Sequence, residues 1–225
     1  STLVARVEAL LAGEEVDSST WRVFPDGDTL ALMAAGAHDV FVRDDSITVV
    51  SPDRPGLFTS VAGVLSVYGL DILSAEAHSD EHGMAASRFH LRTPPLSGWG
   101  DVLRDVTAAF DGRLDIDARL RDRAATYSRR RRESALGPQP PAVRFDDRAS
   151  SNATVIEVHA PDRVGLLRDI TKVFADERLD IRHARIATLG DNVIDTFYVR
   201  EASGEKLSST ERREHISQSL LAVLV

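Results

Sequence analysis

Two segments of the chain carry the same pattern of hydrophobic and polar positions, 109 residues apart. Residues 47–75 and 156–184 are identical at 12 of 29 positions, and both begin with the β-branched pattern of a strand. Apolar residues then recur at i, i+4, i+7 and i+8, which predicts a helix with one buried face. They are Leu57, Val61, Val64 and Leu65 in the first segment, and Leu166, Ile170, Val173 and Phe174 in the second. We call the segments copy one and copy two.

Each copy continues with the pattern of a hairpin and a second helix. Residues 71–79 and 180–188 are strand candidates, and residues 84–91 and 193–200 are their expected antiparallel partners. The order β-α-β-β-α is that of a ferredoxin-like unit, an antiparallel sheet with two helices on one face. The sequence therefore predicts the α+β class, with two ferredoxin-like βαββαβ domains in tandem after a short helical and β N-terminal segment.

The copies differ in the strand that would complete each sheet. Residues 114–120 are predicted to form the last strand of copy one, whereas copy two stops on its second helix. Residues 142–145 precede copy two, are strand-like, and are expected to fill its vacant edge. Because of this asymmetry, we expect the two copies to bind ligand with different affinities.

Outside the copies the pattern is weaker. Apolar residues between 3 and 11 recur at helical spacing, and residues 29–33 and 39–42 are short strand candidates around a turn at 25–28. Four arginines at 129–132 are interpreted as a solvated linker face, with a docking patch as the alternative. The predicted divisions are a segment connecting to an upstream helical domain (1–44), domain one (45–127), an Arg/Pro-rich linker (128–141) and domain two (142–225).

Composition narrows the classes of function. The net charge of −8 argues against a general nucleic-acid binder. The chain has no cysteine, which excludes disulfides and thiolate chemistry and fits a reducing, cytoplasmic compartment. No apolar run approaches the roughly 20 residues that span a bilayer, so no membrane partner is expected.

The loop between the first strand and the first helix reads Pro-Asp-Arg-x-Gly-Leu in both copies. Gly56 and Gly165 leave backbone N–H groups exposed at a helix N-terminus, where the helix dipole favours an anion. Asp53 and Asp162, just upstream, accept hydrogen bonds from the helix or from a cation. An α-amino acid presents both charges, so the loop predicts an amino-acid site. The alternative is a stable turn without a ligand.

A second shared motif, Leu-Asp-Ile, begins the second strand of each copy. It places Asp71 and Asp180 at the same end of the sheet as the loops, where they would face a neighbouring copy. The sequence is compatible with pairing of the copies within one chain and with pairing across a homodimer, because small sheets expose edge strands.

These motifs carry a family resemblance. The β-α-β-β-α plan with Asp-Arg-Pro-Gly-Leu before the first helix resembles the ACT domain, a small amino-acid-sensing module. Residues 45–225 further resemble the C-terminal tandem ACT region of the bifunctional PII uridylyltransferase/uridylyl-removing enzyme family. The matching stretches are ASSNATVIEV at 149–158, ARIAT at 184–188 and VIDTFYV at 193–199.

The resemblance implies a glutamine sensor in nitrogen regulation. In that family, glutamine bound to the ACT region shifts the upstream catalytic domains from attaching a nucleotide to the PII signalling protein towards removing it. ACT ligands commonly sit between the loop of one copy and the second strand of another. The implied ligand-binding residues are Asp53, Arg54, Gly56, Leu57, Asp71, Ile72, Asp162, Arg163, Gly165, Leu166, Asp180 and Ile181.

Three positions depart from the family pattern. Asp71 and Asp180 stand where the family usually has asparagine, and a carboxylate accepts but does not donate at neutral pH. These positions would suit an ammonium or a side-chain amide, and therefore glutamine over glutamate. Val164 replaces a proline in copy two.

No catalytic residue or metal site is assigned to this chain. Asp26-Gly27-Asp28 is read as a hairpin turn and His38-Asp39 as chance, and the cluster at 78–82 as a solvated hairpin with metal binding as the alternative. No cofactor is expected in this fragment, and Mg²⁺ would belong to absent catalytic domains. The alternative function is a protein-interaction module that docks PII or the catalytic domains without a small ligand; RNA binding ranks last.

Overall fold

The computed structural model describes residues 24–127, 139–189 and 191–224. Within these ranges the chain forms six helices and eight strands. The helices are α1 (Gly27–Ala34), α2 (Leu57–Tyr68), α3 (Gly100–Phe110), α4 (Ile116–Tyr127), α5 (Leu166–Asp176) and α6 (Thr210–Val223). The strands are β1 (Asp39–Arg43), β2 (Ser46–Pro52), β3 (Ile72–Ser79), β4 (Met84–Leu91), β5 (Ala142–Asp146), β6 (Thr154–Pro161), β7 (Leu179–Leu189) and β8 (Asn192–Glu201).

All eight strands form one antiparallel sheet in the order β1-β2-β4-β3-β7-β8-β6-β5. Each copy contributes four strands, and the copies have the same internal order. The edge strand precedes the repeat in both, because β1 pairs with β2 and β5 pairs with β6. The prediction that residues 142–145 fill the edge of the second sheet is therefore confirmed, as is the tandem of ferredoxin-like units.

The predicted final strand at residues 114–120 is wrong, because Ile116 begins helix α4. Asp115 caps this helix, accepting the Ala118 N–H at 2.9 Å. The apolar residues Ile116 and Leu120 fit a helix as well as a strand, and the edge that such a strand would occupy is taken by β1. The copies are therefore alike in element order, ββαββα, and the expected asymmetry in their strands does not exist.

The strand expected at residues 29–33 is also wrong, because these residues belong to helix α1. Asp26 is the N-cap, and its side chain accepts from the Thr29 N–H at 3.0 Å. The stretch 26–28 is thus a helix start and not a hairpin turn. The strand expected at 39–42 is confirmed, and it turns into β2 through Asp44, which has a φ of 51°.

The four-stranded halves of the sheet, one from each copy, join along a short antiparallel seam between β3 and β7. The paired positions are Ser74 with Arg185, Ala75 with Ala184, and Glu76 with His183. Of the two pairings left open by the sequence, the structure therefore has the one within a single chain. The boundaries predicted at 44, 127 and 141 stay predictions, although β1 lies before the first of them and pairs with copy one.

Helices α2 to α6 lie on one face of the sheet and bury a hydrophobic core that continues from one copy to the other. Helix α1 packs on the opposite face, where Met33 joins a smaller cluster with Val50, Met84 and Ala86. Phe58 packs on Phe89 in copy one with ring centroids 4.6 Å apart, and Phe174 packs on Phe197 in copy two at 5.0 Å. Helix α2 packs against α5 across the copies. Gly63 permits α4 to approach α2, because a Cβ there would lie 2.7 Å from Ile116 Cγ2.

Two sequence predictions lie outside the described residues: the helix between residues 3 and 11, and the solvated arginines at 129–132. Among the helices that are described, none has both the length and the apolar composition needed to cross a membrane.

Candidate functional site

The seam places the loop of each copy opposite the start of the second repeated strand of the other copy. The first cleft, of about 940 Å³, lies between the loop of copy one at 53–57 and Asp180 and Ile181 of β7. The second cleft, of about 440 Å³, lies between the loop of copy two at 162–166 and Asp71 and Ile72. Both volumes lie in the range of small-molecule sites, about 300–1,000 Å³.

The twelve residues singled out in the sequence all line these clefts, six in each. The first cleft contains Asp53, Arg54, Gly56, Leu57, Asp180 and Ile181. The second contains Asp71, Ile72, Asp162, Arg163, Gly165 and Leu166. The structure thus brings together loop and strand residues that are at least 90 positions apart in the chain, while ligand binding by them stays a prediction.

The glycine of each loop has the same backbone conformation. Gly56 has φ 82° and ψ 5°, and Gly165 has φ 82° and ψ 2°. This left-handed conformation disfavours any residue with a Cβ, and each glycine is the N-cap of its helix. Helix geometry leaves first-turn N–H groups without an intrahelical acceptor. The first of them, that of Leu57 or Leu166, donates to the Arg54 or Arg163 carbonyl at 3.3 or 3.2 Å. The following N–H groups and the positive end of the helix dipole remain as the features that favour an anion.

The loop arginines line the clefts and are also hydrogen-bonded to the end of the second helix of their own copy. Arg54 donates from Nη2 to the Phe110 carbonyl at 2.6 Å, and Arg163 donates from Nη2 to the Val223 carbonyl at 2.6 Å. Both carbonyls belong to the last turn of a helix, where cations are favourable. These arginines therefore connect each loop to a helix C-terminus, while the prediction that they bind a ligand stays a prediction.

The strand-start carboxylates are each paired with an arginine. Asp71 Oδ2 lies 2.7 Å from Arg92 Nε, and Asp180 Oδ2 lies 3.2 Å from Arg182 Nη1. Arg182 also contacts His78 Nδ1 at 3.1 Å. Burial lowers the pKa of His78, and the Arg182 charge lowers it further, whereas Asp80 and Asp180 oppose the shift, so the neutral form of this histidine is favoured.

Sequence reasoning missed Asp195, which lines the second cleft from β8. The phenylalanines Phe89 and Phe197 are equivalent, so Asp195 corresponds to Ser87, which lines the first cleft. Asp195 is 1% exposed, and burial raises its pKa to about 7. The Ala187 backbone N–H opposes this shift, whereas the nearby Asp162 charge adds to it. The signal available in the sequence was the substitution of an acid for a serine on an otherwise apolar strand face.

The clefts differ in a second position that the sequence shows only after alignment of the copies. Gly69 ends helix α2 with a φ of 66° and lines the second cleft. Its counterpart is Arg178, which keeps a positive φ of 55° and lines the first cleft. The Arg123 guanidinium of helix α4 covers Gly69, so closely that any Cβ at Gly69 would overlap it.

These differences give the clefts opposite charge balances. Four arginines and three carboxylates line the first cleft: Arg54, Arg178, Arg182, Arg200, Asp53, Asp180 and Glu201. Two arginines and three carboxylates line the second: Arg123, Arg163, Asp71, Asp162 and Asp195. The larger first cleft therefore favours anionic groups, and the smaller second cleft favours cationic ones.

The cluster at 78–82 is a hairpin turn between β3 and β4. Asp80 Oδ1 accepts the backbone N–H groups of His82 at 2.9 Å and Met84 at 2.8 Å. Its carboxylate is therefore engaged by the turn. Within the described ranges, no group of three or more His, Asp and Glu side chains is arranged to hold a metal ion.

Comparison with known proteins adds to this geometry. Residues 154–213 match the ACT domain family. The chain contains an ACT domain. The two structurally equivalent copies make it a tandem of ferredoxin-like ACT domains, and the clefts lie between the two ACT units.

The homologues of this ACT tandem are bifunctional uridylyltransferase/uridylyl-removing enzymes. That of Gluconobacter oxydans is 38% identical over 184 residues, which is 79% of this chain and 19% of the enzyme. Those of Novosphingobium aromaticivorans and Azospirillum brasilense are 34% identical over 194 and 185 residues. The chain thus spans about one fifth of the length of these curated relatives.

Two solved structures also overlap with the chain. One is a putative glycine cleavage system transcriptional repressor, with 16% identity, coverage of 79% of this chain and 90% of that one, and a TM-score of 0.27. The other is aspartate kinase from Synechocystis, with 15% identity, coverage of 96% and 33%, and a TM-score of 0.37.

Proposed function

We propose that this ACT tandem is the glutamine-sensing regulatory region of a bifunctional PII uridylyltransferase/uridylyl-removing enzyme. The observation that carries the proposal is the pair of clefts, in each of which a helix N-terminus of one ACT unit faces an acidic strand start of the other. The similarity to uridylyltransferase/uridylyl-removing enzymes supports the regulatory context.

The clefts offer complementary groups to the two ends of an amino acid. The ligand carboxylate would accept from backbone N–H groups after Gly56 or Gly165, where the helix dipole favours an anion. The ligand nitrogens would donate to the carboxylates of the facing strand, Asp180 in the first cleft and Asp71 in the second. A carboxylate at that position repels a second carboxylate, so glutamine is favoured over glutamate.

Ligand binding would act on the seam between the ACT units. This seam has three residue pairs, whereas β7 and β8 are paired over ten. A ligand that bridges the loop of one unit and the strand of the other adds contacts across the shortest pairing in the sheet. It would therefore shift the population towards the closed arrangement of the two units, which is the change a catalytic domain would sense.

Catalysis is assigned to the part of such an enzyme that lies outside this chain. In this proposal the chain contributes no catalytic group and no cofactor, and Mg²⁺ is used by the catalytic domains. The partner of the parent enzyme is the PII protein in the cytoplasm, whose nucleotidylation the tandem controls.

Calorimetry and thermal denaturation of the ACT tandem with free amino acids test the proposal. L-Glutamine is expected to bind and to raise the unfolding free energy by about 2.7 kcal/mol at 100 times its dissociation constant. L-Glutamate and L-asparagine are matched controls for the terminal charge and the chain length, and should bind more weakly. Tighter binding of either control, or no response to glutamine, would overturn the assignment of the effector.

The protein-interaction alternative makes a different prediction. A docking module without a ligand would retain PII in a pull-down to the same extent with and without glutamine, and would give no heat with any amino acid. The sensing proposal expects heat from glutamine in the absence of PII.

A further inference from the structure

Asp195 is a buried carboxyl group that the proposed function does not yet use. It is 1% exposed and lines the second cleft. Its Oδ1 is the only buried side-chain oxygen or nitrogen without a hydrogen-bond partner in the described part of the chain. Because a buried polar atom without a hydrogen-bond partner destabilises the fold, Oδ1 of Asp195 calls for a donor that the protein does not supply.

The protein groups around Asp195 do not neutralise it. Its direct neighbours on the paired strands, Val158 and Ile186, are apolar. The charged residues adjacent to these neighbours, Glu157, His159 and Arg185, point to the opposite face of the sheet because side chains alternate along a strand.

The second cleft has two arginines, of which Arg163 is engaged by other groups and Arg123 lies over Gly69, and its other charged residues are negative. The Arg163 guanidinium binds the Val223 carbonyl and Asp169, the latter at 2.7 Å. Arg123 covers Gly69. Asp71 is paired with Arg92, and Asp162 adds a second negative charge close enough to raise the pKa of Asp195.

We propose that Asp195 is the specificity-determining residue of the second cleft, where it and Asp162 accept hydrogen bonds from the α-ammonium group of a bound amino acid. This inference rests on the proposed function. An ammonium group has three donors and one positive charge, so it satisfies Oδ1 of Asp195 and reduces its repulsion by Asp162. The carboxylate of the same ligand reaches the N-terminus of α5, which borders the same cleft.

The first cleft has no buried carboxyl group at the position of Asp195. Ser87 stands at the equivalent position, and Arg182 and Arg178 make that cleft more positive. The two clefts therefore contact different groups of the ligand. Binding in the second cleft requires the ammonium group of the ligand, and binding in the first cleft does not.

Proton release follows from this arrangement. Free Asp195 has a pKa of about 7, and the ammonium binds its ionised form. The affinity of the second cleft for glutamine is therefore expected to fall about tenfold from pH 8 to pH 6, while that of the first cleft stays nearly constant. Binding at pH 7 releases about half a proton per second cleft.

Calorimetry of the whole chain with L-glutamine and with glutaramate, its analogue without the ammonium group, tests the inference. Two sites are expected with glutamine at pH 8 and one with glutaramate. The Asp195→Asn variant should lose at least tenfold in glutamine affinity at one site, and its pH dependence between 6 and 8 should disappear. Ser87→Ala is the matched control, and should leave the pH-dependent site unchanged.

Carbon-13 resonances of the Asp195 carboxyl group provide a readout that needs no variant. A titration midpoint near pH 7 that moves down by one or more pH units with glutamine supports the inference. Glutamine binding with no change in this midpoint, or two glutaramate sites, overturns it and leaves glutamine sensing intact. Absence of glutamine binding at pH 8 overturns both the inference and the proposed function.

Discussion

Ala75 pairs with Ala184 at the centre of the seam, and the two alanines are the same position of the repeat, 109 residues apart. The flanking pairs exchange with each other under the same relationship; they are Ser74 with Arg185 and Glu76 with His183. A pseudo-twofold axis therefore passes between the alanines. Because of this axis, each loop meets the strand start of the other ACT unit, and one chain has two related clefts.

A larger side chain at the seam should separate the two ACT units. Ala184 is fully buried, so Ala184→Leu would overpack the interface and is expected to reduce the free energy of unfolding by about 1–3 kcal/mol. Urea denaturation measures the change. The control is Ala187→Leu, at an exposed position of the same strand, and equal losses in both variants would contradict the special packing at Ala184.

Alanine at the loop glycines should strain both clefts. Gly56→Ala and Gly165→Ala place a Cβ on a backbone at φ 82°, which costs about 1–2 kcal/mol of stability. The Gly165 variant should lose more, because its Cβ would lie 3.3 Å from Leu120 whereas Gly56 faces open space. Thermal denaturation checks the order. Gly27→Ala, in a helix and without a positive φ, should be neutral or stabilising.

Loss of the loop arginine Arg163 should loosen the connection between the loop of the second cleft and the end of helix α6. Arg163→Met deletes the hydrogen bond to the Val223 carbonyl and the ion pair with Asp169, and is expected to cost about 1–2 kcal/mol. Hydrogen exchange of the loop and of the end of α6 should increase together. Arg121→Met, at an exposed position of α4, is the control. An unchanged rate of hydrogen exchange at the end of α6 would contradict the connection between the loop and this helix through Arg163.

Asp195 should make the ligand-free chain less stable as the pH rises. Its pKa in the fold is about 7, above the ordinary value of 3.8, so the folded state keeps a proton that the unfolded state has lost. Stability attributable to this group therefore falls between pH 4 and pH 7, and the loss is complete above pH 7. Asp195→Asn removes this dependence and should gain up to about 4 kcal/mol over the wild type at pH 8. Parallel stability curves for the two proteins would contradict the assignment.

Elements inside the repeat could be predicted from sequence because periodicity and turn chemistry agree there. The helix after Gly56 has apolar residues at helical spacing, and the edge strand at 142–146 is short but alternating. Helix α4 was missed because Ile116 and Leu120 satisfy both a strand pattern and an i, i+4 pattern. Only the position of β1 in the sheet excludes the strand, and that depends on pairing between distant residues.

The clefts could be predicted in part, since a loop and a strand start that both recur point to a shared site. The hydrogen bond from Arg54 to the Phe110 carbonyl could not be predicted from the sequence, because it joins residues that are 56 positions apart. The burial of Asp195 could not be predicted from the sequence either. A single strand does not show which carboxylates lie under a neighbouring loop.

Backbone amide NMR during a glutamine titration tests the central claim that both clefts between the ACT units bind glutamine. The N–H resonances of Gly56 and Gly165 are expected to shift with saturable curves and different midpoints, together with those of Asp180 and Asp71 on the facing strands. Shifts confined to other surfaces, or no shift at either glycine with glutamine bound, would contradict it.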